Sequence, residues 1–181
     1  GNHFISVLGF AAALMHTVNH ALFKSLLFLA AGNVYVMTHT RNMEELGGLI
    51  KSMPRTAMLF LIGSLAIGGL PPFGGFVSEL VLYYSFISGM TMSNLMGPVV
   101  MVLSGACLAV IGGASMLAFT KSFGVIFLGE PRKQLVHMPH EVGKSMLNAG
   151  FVLFVPMFLI IVFSREVFEI ASSISVGLHN L

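Results

Sequence analysis

Long apolar blocks separated by short polar loops run through the whole sequence. A helix needs ~20 residues to cross a hydrocarbon core of about 30 Å, and helices are the default spanning structure because they satisfy their own backbone hydrogen bonds. The period-two alternation of a membrane β-barrel is not visible. We predict spans at residues 4–37, 56–88, 98–128 and 147–164, followed by an interfacial helix or truncated tail at 165–181.

The second block contains GGLPPFGGF at residues 68–76, which a continuous helix does not accommodate. Proline lacks the amide donor and its ring clashes with the preceding turn, while glycine permits unusual dihedral angles. Two interpretations compete: two short spans joined by a tight turn, or one crossing broken near its middle. The residues of the predicted break are Gly68, Gly69, Pro71, Pro72, Gly74 and Gly75.

Length and charge favour one broken crossing. Each half of the block is shorter than the ~20 residues that a span needs. One crossing puts the basic loops at residues 38–55 and 129–144 on the same side of the membrane, as the positive-inside rule prefers, whereas two crossings put them on opposite sides. We therefore predict a transmembrane bundle of four crossings over residues 1–164, with both basic loops in the cytoplasm.

Composition supports an integral membrane protein. Hydrophobic residues make up 56% of the chain and charged residues 9%, with a mean hydropathy of +0.91, against roughly 25% charged residues in soluble domains. The net charge of +2 is too small to indicate a nucleic-acid partner. The sequence starts at Gly1 and enters a span almost at once, which suggests a piece of a longer chain.

Three titratable residues interrupt the first apolar block at a spacing of four. His16, His20 and Lys24 share one helix face and form a ladder ~12 Å tall at 1.5 Å rise per residue. A lysine at the bilayer centre costs about 2.5–3.5 kcal/mol on insertion scales, so its presence there indicates a function. Histidine titrates near neutral pH, which suits proton transfer. The alternative is that the histidines are hydrogen-bonded core residues.

Two further charged residues are candidates for the same chemistry. Glu79 follows the predicted break, in GGFVSEL, where a restarting half-helix would place it in the first turn and its dipole would stabilise a carboxylate. Discontinuous helices expose polar backbone to ion pathways in this way. The alternative is that Glu79 only caps the half-helix. Lys121 lies near the end of the third span, where it serves proton transfer or reaches the interface.

Three stretches, in their order and spacing, carry a family resemblance: HTVNHALFKSLLFLAAGNV, RNMEELGGLIKSMP and GLPPFGGFVSEL. They resemble the antiporter-like proton-translocating membrane subunits of respiratory complex I, multisubunit sodium/proton antiporters and group 4 hydrogenases such as formate hydrogenlyase. NHALFKSLLFLAAGNV, LPPFGGFVSE and FTKSFGVIFLGEPR are most similar to the hydrogenase branch. The resemblance is strongest over residues 12–90 and extends to about residue 133.

The resemblance implies an all-α fold: a polytopic transmembrane helix bundle with one discontinuous helix, forming part of the second of two inverted repeats. The family's central proton axis falls on His16, His20 and Lys24, and its broken helix falls on residues 56–88, with Glu79 as the ionisable residue. The first-repeat glutamate and lysine of the family have no counterpart here, so the chain by itself is not expected to pump protons.

We predict a subunit of a membrane-bound oxidoreductase complex that moves protons through a chain of buried Lys, His and Glu side chains. No cofactor is expected, because the chain has a single cysteine and no dinucleotide-binding motif. Expected partners are other antiporter-like and small membrane subunits, the lipid bilayer and a soluble redox arm of the NiFe hydrogenase type, in a bacterial or archaeal cell membrane.

Three other functions compete with this prediction. The same carboxylate could exchange sodium for protons, with backbone carbonyls at the helix break as further ligands. The chain could instead be a passive membrane scaffold for a soluble hydrogenase or dehydrogenase arm. A haem-binding cytochrome is disfavoured, because His16 and His20 lie on one helix face whereas a bis-histidine haem needs opposed helices.

Overall fold

A computed structural model of the 181-residue chain describes residues 2–92, 96–133 and 139–179. The predicted second basic loop and the predicted tail each extend beyond these ranges, at residues 134–138 and 180–181. All regular structure in the described part is helical, which confirms the predicted all-α class. The α-helices in chain order are α1 (Asn2–Thr38), α2 (Pro54–Ile67), α3 (Gly74–Gly89), α4 (Met96–Phe127), α5 (Lys144–Val162) and α6 (Ser164–His179).

Three of the described helices are long and apolar enough to cross a membrane: His3–Thr38, Met96–Phe127 and Lys144–Val162. The half-helices α2 and α3 contain only 14 and 16 residues. At 1.5 Å per residue, each is about 21–24 Å long and falls short of a hydrocarbon core of about 30 Å. Each half-helix by itself is therefore too short to form a full crossing.

The two half-helices run one after the other along α4, in the opposite direction. The end of α3 contacts the beginning of α4, and α2 contacts the later part of α4. Together α2 and α3 therefore form a single interrupted crossing, which confirms the predicted discontinuous helix. The contacting pairs are Gly89 with Met101, Phe86 with Gly105, Gly68 with Met116, and Phe60 with Phe123.

The interruption itself spans residues 68–73, because Gly74 and Gly75 already belong to α3. This is shorter than the predicted 68–76. Gly69 adopts φ +64°, a left-handed conformation that favours glycine, and the Pro71–Pro72 peptide bond is cis. The left-handed turn at Gly69 lets α3 restart beside the end of α2, where Gly75 faces the carbonyl oxygen of Ala66.

Helix α1 is the centre of the bundle and packs against α2, α3, α5 and α6. In lipid, helices associate mainly through close van der Waals packing and interhelical hydrogen bonds, because lipid tails are as apolar as the side chains. The core joins Phe23, Leu26, Leu27 and Ala30 of α1 to Leu59 and Phe60 of α2, Phe127 of α4, and Leu147 and Met157 of α5.

The two basic loops meet at one end of the bundle. Lys51 Nζ lies 2.8 Å from Glu130 Oε1, and the Gly48 amide donates a hydrogen bond of 2.9 Å to the Leu128 carbonyl oxygen. Arg132 donates from its Nη1 to the carbonyl oxygen of Leu46 in the first loop. The first and second basic loops therefore lie on the same side, as a single crossing between α1 and α4 requires.

Helix α6 packs against α1 and α5, and its residues Ala171 and Ser175 are buried. Helix α6 follows α5 almost without a gap. The i to i+4 hydrogen bonds continue through the junction: the Phe163 amide donates to the Leu159 carbonyl, and the Val167 amide donates to the Phe163 carbonyl. An interfacial position for residues 165–181 stays a prediction.

Candidate functional site

The start of α3 is held against α1 by a small polar cluster. His16 Nδ1 lies 3.0 Å from the Ser78 hydroxyl oxygen, and Asn19 donates from Nδ2 to the Gly74 carbonyl oxygen at 3.0 Å. Ser78 is completely buried and Asn19 is 4% exposed. The start of α3, directly after the break, therefore has hydrogen-bonded contacts with the titratable face of α1.

Asn19 and Ser78 were not identified from the sequence. A buried amide is stable only when its polar atoms are hydrogen-bonded, and here the partner is a backbone carbonyl in the first turn of α3. The only sequence signal for Asn19 is its place between His16 and His20 in an apolar helix. That Asn19 and Ser78 meet the same half-helix end depends on how α1 packs against α3.

The three members of the predicted ladder have different surroundings in this chain. His16 is half-buried, His20 is exposed, and Lys24 is half-buried. The ring centroids of His16 and His20 are 6.2 Å apart, and the His20 ring contacts Phe23 edge-on at 5.2 Å. Among the described residues no hydrogen bond joins the two imidazole rings, so a proton that passes between them needs a bridging water molecule.

Lys24 faces α4. Its Nζ lies 5.9 Å from the centroid of the Phe119 ring, within the range of a cation–π contact. Among the residues that the structure describes, no ion pair joins Lys24 to Glu79. The Glu79 carboxylate contacts Gly69, next to Gly68, which faces Met116 of α4, so both charged side chains lie near the same stretch of α4.

Glu79 is half-buried and lies five residues after α3 begins, in the second turn of that helix. The predicted position in the first turn is wrong, because α3 already begins at Gly74. The helix dipole acts mainly within the first turn. The carboxylate instead folds back onto the break, where a Cβ atom at Gly69 would lie 2.5 Å from Glu79 Oε2.

Lys121 is exposed on α4, two residues beyond Phe119 and six residues before the helix ends. Its role as a member of the proton pathway or as an interfacial lysine stays a prediction.

A second acidic residue that sequence reasoning missed, Glu141, caps the start of α2. Its carboxylate accepts hydrogen bonds from the Arg55 amide at 2.8 Å and from the Thr56 hydroxyl at 2.6 Å. Asn33 on α1 donates to the same Thr56 hydroxyl at 3.5 Å. The broken crossing is therefore attached to α1 at the loop end as well as at the break.

Exposed ion pairs connect the loops at this end. A hydrogen bond from Lys133 holds the pKa of Glu45 below its ordinary value, and a hydrogen bond from Lys51 does the same for the pKa of Glu130. In the described ranges, no group of three His, Cys, Asp or Glu side chains is close enough to hold a metal ion.

Residues 3–112 match a family profile described as NADH:quinone oxidoreductase/Mrp antiporter, TM. The chain is 42% identical over 153 residues to hydrogenase-4 component B of Escherichia coli K12, covering 82% of this chain and 22% of that protein. It is 43% identical over 129 residues to formate hydrogenlyase subunit 3 of the same organism, covering 69% of this chain and 21% of that protein. The chain thus spans about a fifth of the length of these relatives.

The fold is similar to a chain in the structure of the Mrp complex from Dietzia sp. DQ12-45-1b. The TM-score is 0.79 at 21% sequence identity, and the match covers 95% of this chain and 38% of that one. At this identity the similarity concerns the fold.

Proposed function

Because the chain belongs to the NADH:quinone oxidoreductase/Mrp antiporter transmembrane family, we propose that it forms the proton-translocating part of an antiporter-like membrane subunit in a redox-driven complex. The proposed pathway consists of Lys24, His20, His16 and Glu79. The observation that carries the proposal is the hydrogen bond between His16 and Ser78, which joins the titratable face of α1 to the start of the half-helix that bears Glu79.

Each residue has a proposed role. Lys24 holds a proton in the middle of α1, and His20 and His16 pass protons along that helix with bridging water between them. Glu79 receives or supplies protons at the break, where the interrupted helix leaves backbone groups available to water. Charges in a low-dielectric interior act on each other strongly, so a change at one site alters the proton affinity of the next.

The proposal also covers what surrounds this chain in its complex, namely lipid, other membrane subunits and a soluble redox arm. Helix α4 keeps only Phe127 buried among its residues, and Val110 and Leu117 are 71% and 73% exposed. A surface of this kind suits lipid and other membrane subunits. Two of the relatives are components of hydrogenase-4 and of formate hydrogenlyase, and we propose a soluble redox arm of that type as the source of energy.

The test uses the full-length subunit in its complex, reconstituted into vesicles, with proton uptake measured per redox turnover. Lys24→Ala and Glu79→Gln should each lower uptake about tenfold or more, since positioned acid–base groups typically contribute at least that much. Glu44→Gln is the control, because Glu44 is an exposed carboxylate in the first loop. Unchanged uptake in both variants would establish the passive scaffold instead.

Sodium exchange is separated from proton translocation in the same vesicles. Replacing sodium by potassium should leave proton uptake unchanged under the proposed function. A loss of uptake on that replacement would assign the Glu79 site to sodium/proton exchange.

A further inference from the structure

Ser78 has more hydrogen-bond neighbours than its single proton can serve. Its hydroxyl oxygen lies 3.0 Å from His16 Nδ1, 3.0 Å from the Gly75 carbonyl oxygen and 3.1 Å from the Gly74 carbonyl oxygen. A serine hydroxyl donates once and accepts through two lone pairs. The direction of each hydrogen bond is therefore decided by which neighbours can donate.

The two carbonyl oxygens have no proton to give, so their contacts with Ser78 form only if the hydroxyl donates. A carbonyl oxygen accepts through two lone pairs, so either carbonyl can take the Ser78 hydroxyl proton, although Asn19 also donates to Gly74. Once the hydroxyl proton points to one of these carbonyl oxygens, the contact with His16 requires that Nδ1 carries the hydrogen. A neutral imidazole with hydrogen on Nδ1 has its lone pair on Nε2.

We infer that Ser78 is a positioning residue that holds His16 in the Nδ1–H form, so that Nε2 is the atom that accepts and releases the translocated proton. The inference rests on the proposed proton pathway. A proton arriving at Nε2 forms the imidazolium, and the same atom loses it again, while the hydrogen bond from Nδ1 to Ser78 persists. Ser78 orients the histidine and is not itself a proton relay to its neighbour Glu79.

The experiment measures the histidine tautomer directly. The full-length subunit in its complex is labelled with ¹⁵N-histidine, and the His16 signals are identified by their loss in His16→Gln. Solid-state NMR distinguishes Nδ1–H from Nε2–H by the ¹⁵N shifts. The wild-type protein should show His16 with hydrogen on Nδ1 at neutral pH.

Variants at position 78 then test whether the Ser78 hydroxyl is what holds His16 in the Nδ1–H form. Ser78→Ala should give a mixture of tautomers at His16 and lower proton uptake about tenfold, which is the effect of losing ~1.4 kcal/mol. Ser78→Thr keeps the hydroxyl and should retain both properties. Ser85→Ala is the matched control, because Ser85 is a buried serine on α3 whose hydroxyl oxygen faces Gly9 of α1.

An Nε2–H tautomer in the wild-type protein would overturn the inference, as would an unchanged Nδ1–H signal in Ser78→Ala. If Ser78→Ala does not assemble, the wild-type tautomer and Ser78→Thr still decide the question. The proposed function fails separately: in that case Lys24→Ala and Glu79→Gln leave proton uptake unchanged whatever the tautomer of His16.

Discussion

At Gly75 the two half-helices approach so closely that no side chain fits between them. A Cβ atom there would collide with the carbonyl oxygen of Ala66, and at Gly69 it would collide with the carboxylate of Glu79. Gly69 also has a left-handed backbone. These two glycines therefore set how near Glu79 lies to the break, since any added atom would push the half-helices apart.

Gly75→Ala should destabilise the protein by about 1–3 kcal/mol, the usual range for overpacking, because the obstacle is backbone and cannot rotate away. The free energy of unfolding is measured by denaturing-detergent titration. Gly112→Ala is the control, since nothing lies within 4 Å of an added Cβ atom at Gly112 on α4. Equal stability of the two variants would contradict the close approach at Gly75.

At the scale of the elements, both half-helices of the interrupted crossing are held at their starts by residues outside the crossing. Glu141 fixes the start of α2 through the Arg55 amide and the Thr56 hydroxyl, while Asn19 and His16 fix the start of α3. At α2 the Glu141 carboxylate accepts from first-turn amides that have no partner inside the helix, whereas at α3 Asn19 donates to the carbonyl oxygen of Gly74. Both half-helix starts thus depend on residues from other parts of the chain.

Glu141→Ala should lower the free energy of unfolding by about 1 kcal/mol, as the loss of an N-terminal cap usually does. Glu141→Gln keeps one acceptor oxygen and should lose less. The same detergent titration measures both, with Glu44→Ala as the control for an exposed acidic side chain of the loops. A Glu141→Ala variant as stable as the control would show that the cap does not hold α2.

At the scale of the whole molecule, the two basic loops form one connected end of the bundle. Lys51 pairs with Glu130, and Lys133 pairs with Glu45 at 3.2 Å. Three of the four side chains are exposed and Glu45 is half-buried, so solvent reaches both pairs and salt weakens them. Their effect is to connect the segment before α2 to the segment after α4, which fixes the two ends of the α2–α3 crossing relative to each other.

Acid should separate the two loops. The pKa values of Glu45 and Glu130 lie below the ordinary 4.5 in the folded protein. Their stabilising effect is therefore complete above pH 4.5 and is lost as the pH falls through the lowered values. Spin labels at positions 50 and 131 should move apart only below pH 4.5. Lys51→Gln should produce part of that separation at neutral pH, and a pH-independent distance would contradict the prediction.

Family membership, the all-α class and the discontinuous helix could all be derived from the sequence, and each is confirmed. The physical reason is that lipid permits few spanning structures, so long apolar runs specify helices. Paired prolines among glycines cannot continue a helix. The family was identified by the resemblance of three stretches of sequence, and the spacing of His16, His20 and Lys24 established only that they share one face of a helix.

Tertiary structure alone decided which groups meet at the break. The register between α1 and α3 brings Asn19 and Ser78 together with His16, and the loop packing brings Glu141 to the start of α2. Helix α3 also begins at Gly74, so Glu79 lies in the second turn of that helix and not in the predicted first turn. Contacts between residues 55 to 86 positions apart depend on how helices pack, and side-chain periodicity within one helix carries no information about the register of its neighbour.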